Sequence, residues 1–278
     1  MIVLTASDSD VVQAGQAMLE VALVFGESTV TSAFASSPMK MLTPVSRGKS
    51  AWAYTSSFGG GLVAGDQTRL EITVGSGARC FLGTQSSTKV YRNPAGLPCS
   101  HTTRAALDRD ALLVFAPEPV QAFAESHYTQ RQEFHLADGA GLVLLDWFTS
   151  GRAARGERWQ FAHFESRNDV FINGDRAFVD PILLGSTAVA ERMSRFNCLA
   201  TLLFIGAPVK PAAEALLKDI AGRPVERQAA TVCSASPVRN GALLRMAGEA
   251  VEAVRHEIQK QLTFLQVHLG DDPWARKW

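Results

Sequence analysis

Through its first two thirds the chain is a succession of short apolar runs, and several alternate apolar with polar residues. Runs at 17–25, 28–34, 67–74, 78–82, 111–115, 128–136 and 141–147 are rich in β-branched, aromatic and aliphatic residues. Leu70-Glu71-Ile72-Thr73-Val74 shows the period of two most clearly. Gly, Pro, Asn and Asp break these runs about every ten residues, the punctuation of an all-β sheet stack. The pattern predicts a mainly β fold.

An internal repeat sharpens the prediction. Val74-Gly-Ser-Gly-Ala78, Leu107-Asp-Arg-Asp-Ala111 and Leu136-Ala-Asp-Gly-Ala140 each place an apolar residue, a polar turn and an alanine before an apolar strand. The alanines are 33 and 29 residues apart. Such spacing fits stacked strand layers, β-helix-like, in which each unit buries its face against the next. A series of unrelated hairpins fits it as well.

The last third changes character, and about two α-helices are predicted there. Residues 211–221 have helical spacing and stop at Gly222 before Pro224. Residues 239–246 read as a strand. Residues 248–265 form the clearest helix, with Val251, Val254, Ile258, Leu262 and Leu265 in one apolar stripe. Glu252, His256, Glu257 and Lys260 are expected to face outward. The stripe is expected to pack on the sheet, the alternative being a partner's groove.

At 278 residues, an all-β chain is expected to be one domain, 1–278. The 46% apolar fraction supports a full core. With 27 basic and 27 acidic residues, net charge is zero, and no basic stripe marks a nucleic-acid binder. Low net charge gives little protection against self-association, so a partner protein or poor solubility in isolation is expected. The first ten residues lack a basic n-region, and the apolar run at 199–209 is interrupted by Gly206 and Pro208. A cytoplasmic protein with no membrane segment is expected. The four cysteines, Cys80, Cys99, Cys198 and Cys233, never adopt Cys-x-x-Cys spacing, so reduced thiols are expected and Cys80 is read as a core residue.

Chemistry concentrates between residues 57 and 92. Gly59-Gly60-Gly61 and Gly65 suggest a phosphate loop, but no Gly-Lys-Ser/Thr follows, and a strand rather than a helix comes next. A tight turn or close backbone approach is the better reading. The run at 78–82 ends in Thr84-Gln85-Ser86-Ser87-Thr88-Lys89, a cluster of hydroxyls and amides that suggests a lined polar surface. No catalytic triad is legible. The six histidines show no His-Glu-x-x-His or close pair, which speaks against a local zinc or nickel centre. Asp146 is read as ending a very apolar strand, and Asp180 precedes Pro181 at the end of another apolar run. Arg152 to Arg158 carries arginines around Glu157, with a solvated Arg–Glu loop as the plain alternative. Carboxylates at strand ends, together with the Thr84 to Thr88 hydroxyls, could line one wet passage. Oxygen ligands hold a borderline ion such as nickel more weakly than imidazole or thiolate, which suits transit rather than storage.

Three blocks give the chain a family likeness. Gly60 to Asp66 reads Gly-Gly-Leu-Val-Ala-Gly-Asp, Gly77 to Arg79 reads Gly-Ala-Arg, and Thr84 to Arg92 reads Thr-Gln-Ser-Ser-Thr-Lys-Val-Tyr-Arg. With Pro117-Glu118-Pro119-Val120, the segment from Gly151 to Trp159 and the tail helix, they resemble the urease accessory protein UreD (UreH) family over essentially the whole chain. The chain departs from the family pattern at Ser86 and Ser87, often alanine there, and at Asp146, often glutamate. The resemblance implies a β-rich, helix-like stack with two or so helices and no enzymatic activity. It implies binding to apo-urease and to UreF, which brings the GTPase UreG carrying nickel, and it allows a dimer of the accessory complex. No cofactor is held tightly; nickel is in transit through a water-filled path. Polar motif positions map onto Asp66, Thr84, Ser87, Thr88, Asp146, Glu157 and Asp180.

Two rival functions stand beside this one. A β-solenoid hydrolase would use Asp66, Asp146 and Glu157 as acid and base across a cleft. A β-rich binding module without a metal role would have a solid apolar interior.

Overall fold

The computed structural model describes residues 14–45, 48–185, 188–226 and 228–275. The N-terminal segment used for the targeting expectation lies outside the described residues. The chain opens with a hairpin, β1 (Gln16–Val24) and β2 (Glu27–Ala35), and a short strand β3 (Met39–Leu42). Four coils follow. The first is β4 (Ala51–Ser57), β5 (Gly61–Leu62) and β6 (Gln67–Val74). The second is β7 (Arg79–Thr84), β8 (Thr88–Val90) and β9 (Cys99–Leu107). The third is β10 (Leu112–Phe115), β11 (Val120–Ala122) and β12 (His127–Leu136), and the fourth is β13 (Gly141–Thr149) and β14 (His163–Ile172). Then come β15 (Asp175–Gly185), α1 (Val189–Met193), β16 (Cys198–Gly206), α2 (Lys210–Ala221), β17 (Thr231–Val238), β18 (Gly241–Gly248), α3 (Val251–Gln261) and α4 (Leu265–Leu269).

The coils stack as a β-solenoid of about four turns. One sheet runs β15-β14-β12-β9-β6-β1-β2, and the other runs β17-β18-β16-β13-β10-β7-β4-β3. Their centres are parallel, because each coil returns to the same face: β6, β9, β12 and β14 on one side, β4, β7, β10 and β13 on the other. The short strands β5, β8 and β11 pair as a third, narrow wall. Antiparallel strands close the edges of both large sheets.

The repeated alanines mark the corners of this stack. Ala78, Ala111 and Ala140 are buried where the chain turns from one sheet to the other. Leu112 N donates to Ala78 O at 2.9 Å and Gly141 N to Ala111 O at 2.8 Å, so each corner sits on the next. A larger side chain would push adjacent coils apart. The triple glycine is a close approach: a Cβ on Gly61 would lie 2.3 Å from Lys89 O.

Helices α2, α3 and α4 cover the outer face of the second sheet. Val254, Ile258, Leu262 and Leu265 are buried with Trp52, Phe81, Val143, Leu145 and Phe204. The stripe packs on the sheet, as its spacing predicts. The helix is shorter than 248–265, since a turn at 262–264 separates α3 from α4. Glu257 does not face outward; it takes Arg223 of the α2 end at 2.7 Å. Because β13 has the solenoid interior on one face and helices on the other, all nine of its residues are buried, which explains its unbroken apolar run.

Strands β14, β15 and β17 were not legible as strands. In β14, Glu165, Arg167 and Asp169 point outward while Ser166 and Asn168 point inward between Phe164 and Val170. Polar residues on both faces erase the hydropathy contrast on which the prediction relies. Pro94, Gly96 and Pro98 fall in the loop between β8 and β9, and the strand begins directly after them at Cys99. Among the described residues no helix is long and apolar enough to cross a membrane.

Ala111→Leu is expected to destabilise the chain by about 1–3 kcal/mol through overpacking at the corner. A urea denaturation midpoint equal to that of the native sequence would show that the corners are not load-limited.

Candidate functional site

Register places inward side chains from successive coils in rows. Thr68, His101, Gln130 and Ser166 form one row across β6, β9, β12 and β14. Thr103, Gln132, Asn168 and Asp180 form the next, across β9, β12, β14 and β15. Apolar rows flank them: Ile72, Ala105, Phe134 and Val170 on one side, Cys99, Tyr128 and Phe164 on the other. A hydroxyl-amide-imidazole belt therefore crosses the interior between two apolar clusters. The facing sheet answers with Thr55 paired to Thr84, and Asp146 paired to Thr201 and through it to Arg245.

Asp146 ties the two sheets together. Its carboxylate accepts from Gln130 Nε2 at 3.1 Å, Ser166 Oγ at 2.6 Å and Asn168 Nδ2 at 2.8 Å. All four side chains are buried. Asp180, also buried, accepts from Arg245 at 2.7 Å through Oδ1. Burial pushes the Asp180 carboxyl up, as does the nearby Asp146 charge, while Arg245 and Thr201 oppose the shift. Among the described residues, Asp180 Oδ2 and Asn168 Oδ1 are buried with no hydrogen-bond donor. These two acceptors belong to register partners and leave the belt with unspent oxygen lone pairs.

Where the belt meets the third wall, the interior opens into a cavity of about 80 Å³. At about 30 Å³ per water that is room for two or three water molecules. It is lined from the first coil, by Thr55, Ser56 and Ser57, to the fourth, by Asp146. At about 4.8 Å per strand, three steps along the stack span roughly 14 Å. His101 sits in the wall, with Nδ1 2.8 Å from Thr68 Oγ1 and Nε2 3.1 Å from Thr103 Oγ1. It lines the cavity, and burial lowers its pKa to about 4. The ring is neutral at neutral pH.

The seven positions singled out from sequence divide. Thr84, Ser87, Thr88 and Asp146 line the cavity. Asp180 lies in the same belt beyond the cavity lining. Asp66 does not join them: it is half-buried just after a turn, where its Oδ2 accepts from Val63 N at 2.9 Å. Glu157 sits at a coil corner, paired with Arg152 at 2.9 Å, and that pairing holds its carboxyl below the usual range. Asp146 and Asp180 are inside strands, not at strand ends. The strands run on past them because each carboxylate is satisfied or paired across the interior instead of reaching solvent. Sequence reading missed Gln130, Gln132, His101, Ser166, Asn168 and Glu118. For the five on strands the sequence signal is a polar residue at an inward position of a period-two run; Glu118 lies between strands, and its signal is the Pro117-Glu118-Pro119-Val120 step. Among the described residues no group of three His, Cys, Asp or Glu side chains could hold a metal ion. The carboxylates proposed for a hydrolase are not gathered: Asp146 lines the cavity, and Asp66 and Glu157 do not.

The chain is a β-solenoid with helices on one face and an oxygen-lined interior cavity, and comparison with known proteins gives its family. The family model described as UreD urease accessory protein matches residues 13–278. A urease accessory protein UreD from Sorangium cellulosum is 46% identical over 96% of this chain and 85% of its own length. One from Anaeromyxobacter is 41% identical over 95% and 90%, and a urease accessory protein D from Arabidopsis thaliana is 33% identical over 91% and 97%. The chain belongs to the UreD family of urease accessory proteins.

Two measurements probe the belt. Asp146→Ala strands three buried donors and is expected to cost about 3 kcal/mol or more in urea denaturation, Asp146→Asn less. A loss under about 1 kcal/mol would show that the tie is weak. For His101 the folded pKa lies below the unfolded value, so the unfolded chain binds the proton first. Stability should fall by about 3 kcal/mol as pH drops from about 6.5 to about 4, then level off for this group. Its contribution is the difference between the native sequence and His101→Gln over that window; parallel pH curves for the two would refute the assignment.

Proposed function

We propose that this chain is the scaffold on which nickel reaches urease during maturation. It bridges apo-urease and UreF, UreF brings UreG, and the interior cavity is a polar path for the ion. The supporting observation is the lining. The cavity offers hydroxyl, amide and carboxylate oxygens across four coils, and the belt beside it holds two acceptors without donors. Oxygen donors bind a borderline divalent ion more weakly than thiolate or imidazole sets, so the ion can enter and leave. His101 is held by two threonine hydroxyls, which keeps its nitrogens committed. Family membership supports the urease-maturation context, and the named partners, the cytoplasmic setting, nickel as cargo and the absence of a tightly held cofactor belong to this reading.

The binding-module alternative expected a solid apolar interior, which the cavity does not match. The hydrolase alternative expected converging carboxyls, which Asp66 and Glu157 do not provide.

Plugging the lining without removing a buried charge separates path from scaffold. Ser87→Phe and Thr88→Leu are expected to lower urease activation in a reconstituted maturation assay about tenfold or more, with UreF and apo-urease still co-purifying. Asp66→Leu, outside the cavity, is expected to activate normally. Full activation by both plugged variants would end the path reading.

A further inference from the structure

One carboxylate of the cavity wall is bonded to a helix outside it. Strand β10 ends at Phe115, and the wall between β7 and β13 is carried on by residues 116–119 rather than by a strand. Glu118 lies in that stretch between two prolines, which hold its backbone extended. Its N–H donates to Thr84 Oγ1 at 2.8 Å, and both residues line the cavity. Its carboxylate, however, is taken by Arg255 of α3, with Nη1 to Oε1 at 3.0 Å and Nη2 to Oε2 at 2.7 Å. The same guanidinium lies 5.1 Å from the ring of Trp147. Trp147 in turn donates from Nε1 to Pro117 O at 2.7 Å and lines the cavity. Helix, wall and cavity meet at this point.

We propose that Glu118 is a further cation-binding carboxylate of the cavity, held in reserve by Arg255, so that a divalent cation in the cavity and the seating of α3 compete. The proposal rests on the cavity being a cation path. The bidentate pair takes one lone pair of each Glu118 oxygen and sets a positive charge beside both, so a cation bound there competes with the guanidinium. Coupling of this kind is reciprocal: loosening α3 strengthens the cavity's hold on a cation, and a bound cation loosens α3. The tail helix thus becomes the point at which something acting outside the solenoid reaches the path inside it. Glu252, one turn before Arg255, supplies a second negative charge near the guanidinium and gives it somewhere to go.

The test uses the full chain, nickel sulfate, calorimetry and hydrogen–deuterium exchange of the 251–261 amides. In the native sequence nickel is expected to speed exchange in α3 about tenfold, and in Glu118→Gln it is expected to have no effect there. Arg255→Gln is expected to bind nickel about three- to tenfold tighter, and the gain is expected to vanish in Glu118→Gln/Arg255→Gln. Nickel binding to the native chain with α3 exchange and the Arg255→Gln affinity both unchanged would overturn the coupling while leaving the path intact. No nickel binding by the native chain or by Arg255→Gln would overturn both. If a variant does not fold, the exchange response of the native chain to nickel decides alone.

Discussion

The constraint on which the interior depends is that a buried carboxylate must find donors. Asp146 sits in a strand whose nine residues are all buried. An unpartnered charge there would cost more than the fold could tolerate. Three donors meet it, and all three come from the opposite sheet, on β12 and β14. The bonds fix the distance and register between the two sheets at the fourth coil. They also require inward polar residues on neighbouring strands, and the parallel register then carries that polarity coil by coil as far as Thr68.

The belt explains why the solenoid has a cavity at that level. Leucine, valine and phenylalanine from facing sheets interdigitate and leave no room. Hydroxyls and amides facing small threonines and serines cannot fill the same width, and their polar atoms make the gap hospitable to water or an ion. The apolar clusters above and below hold the walls apart at fixed spacing. Stability is thus concentrated in the rows flanking the belt, while the belt provides the chemistry.

The helices add a second layer to this logic. Their apolar stripe covers the outer face of the second sheet, and that cover lets Trp52, Phe81, Val143 and Leu145 be buried outward. The bidentate contact between Arg255 and Glu118 bonds this outer layer to a residue of the cavity lining by charge. A solenoid is otherwise a set of nearest-neighbour contacts. A lateral bond of this kind gives an outside element a direct hold on the interior.

The period-two runs, the corner repeat and the heptad-like stripe of the tail helix were determined by the sequence itself. Each follows from local geometry: alternation of side chains along a strand, a turn that admits only a small residue after it, and 3.6 residues per helical turn. The hydroxyl cluster at Thr84 to Thr88 was legible for the same reason, since its members are neighbours in the chain. Tertiary structure alone decided the rest. Gln130, Ser166 and Asn168 are 16, 20 and 22 residues from Asp146. Only stacking brings them to it. Asp66 and Glu157 carry the same chemical group as Asp146 yet lie elsewhere, because a carboxylate's role is set by which face of which coil it occupies. That depends on register between strands far apart in sequence, which no local pattern encodes.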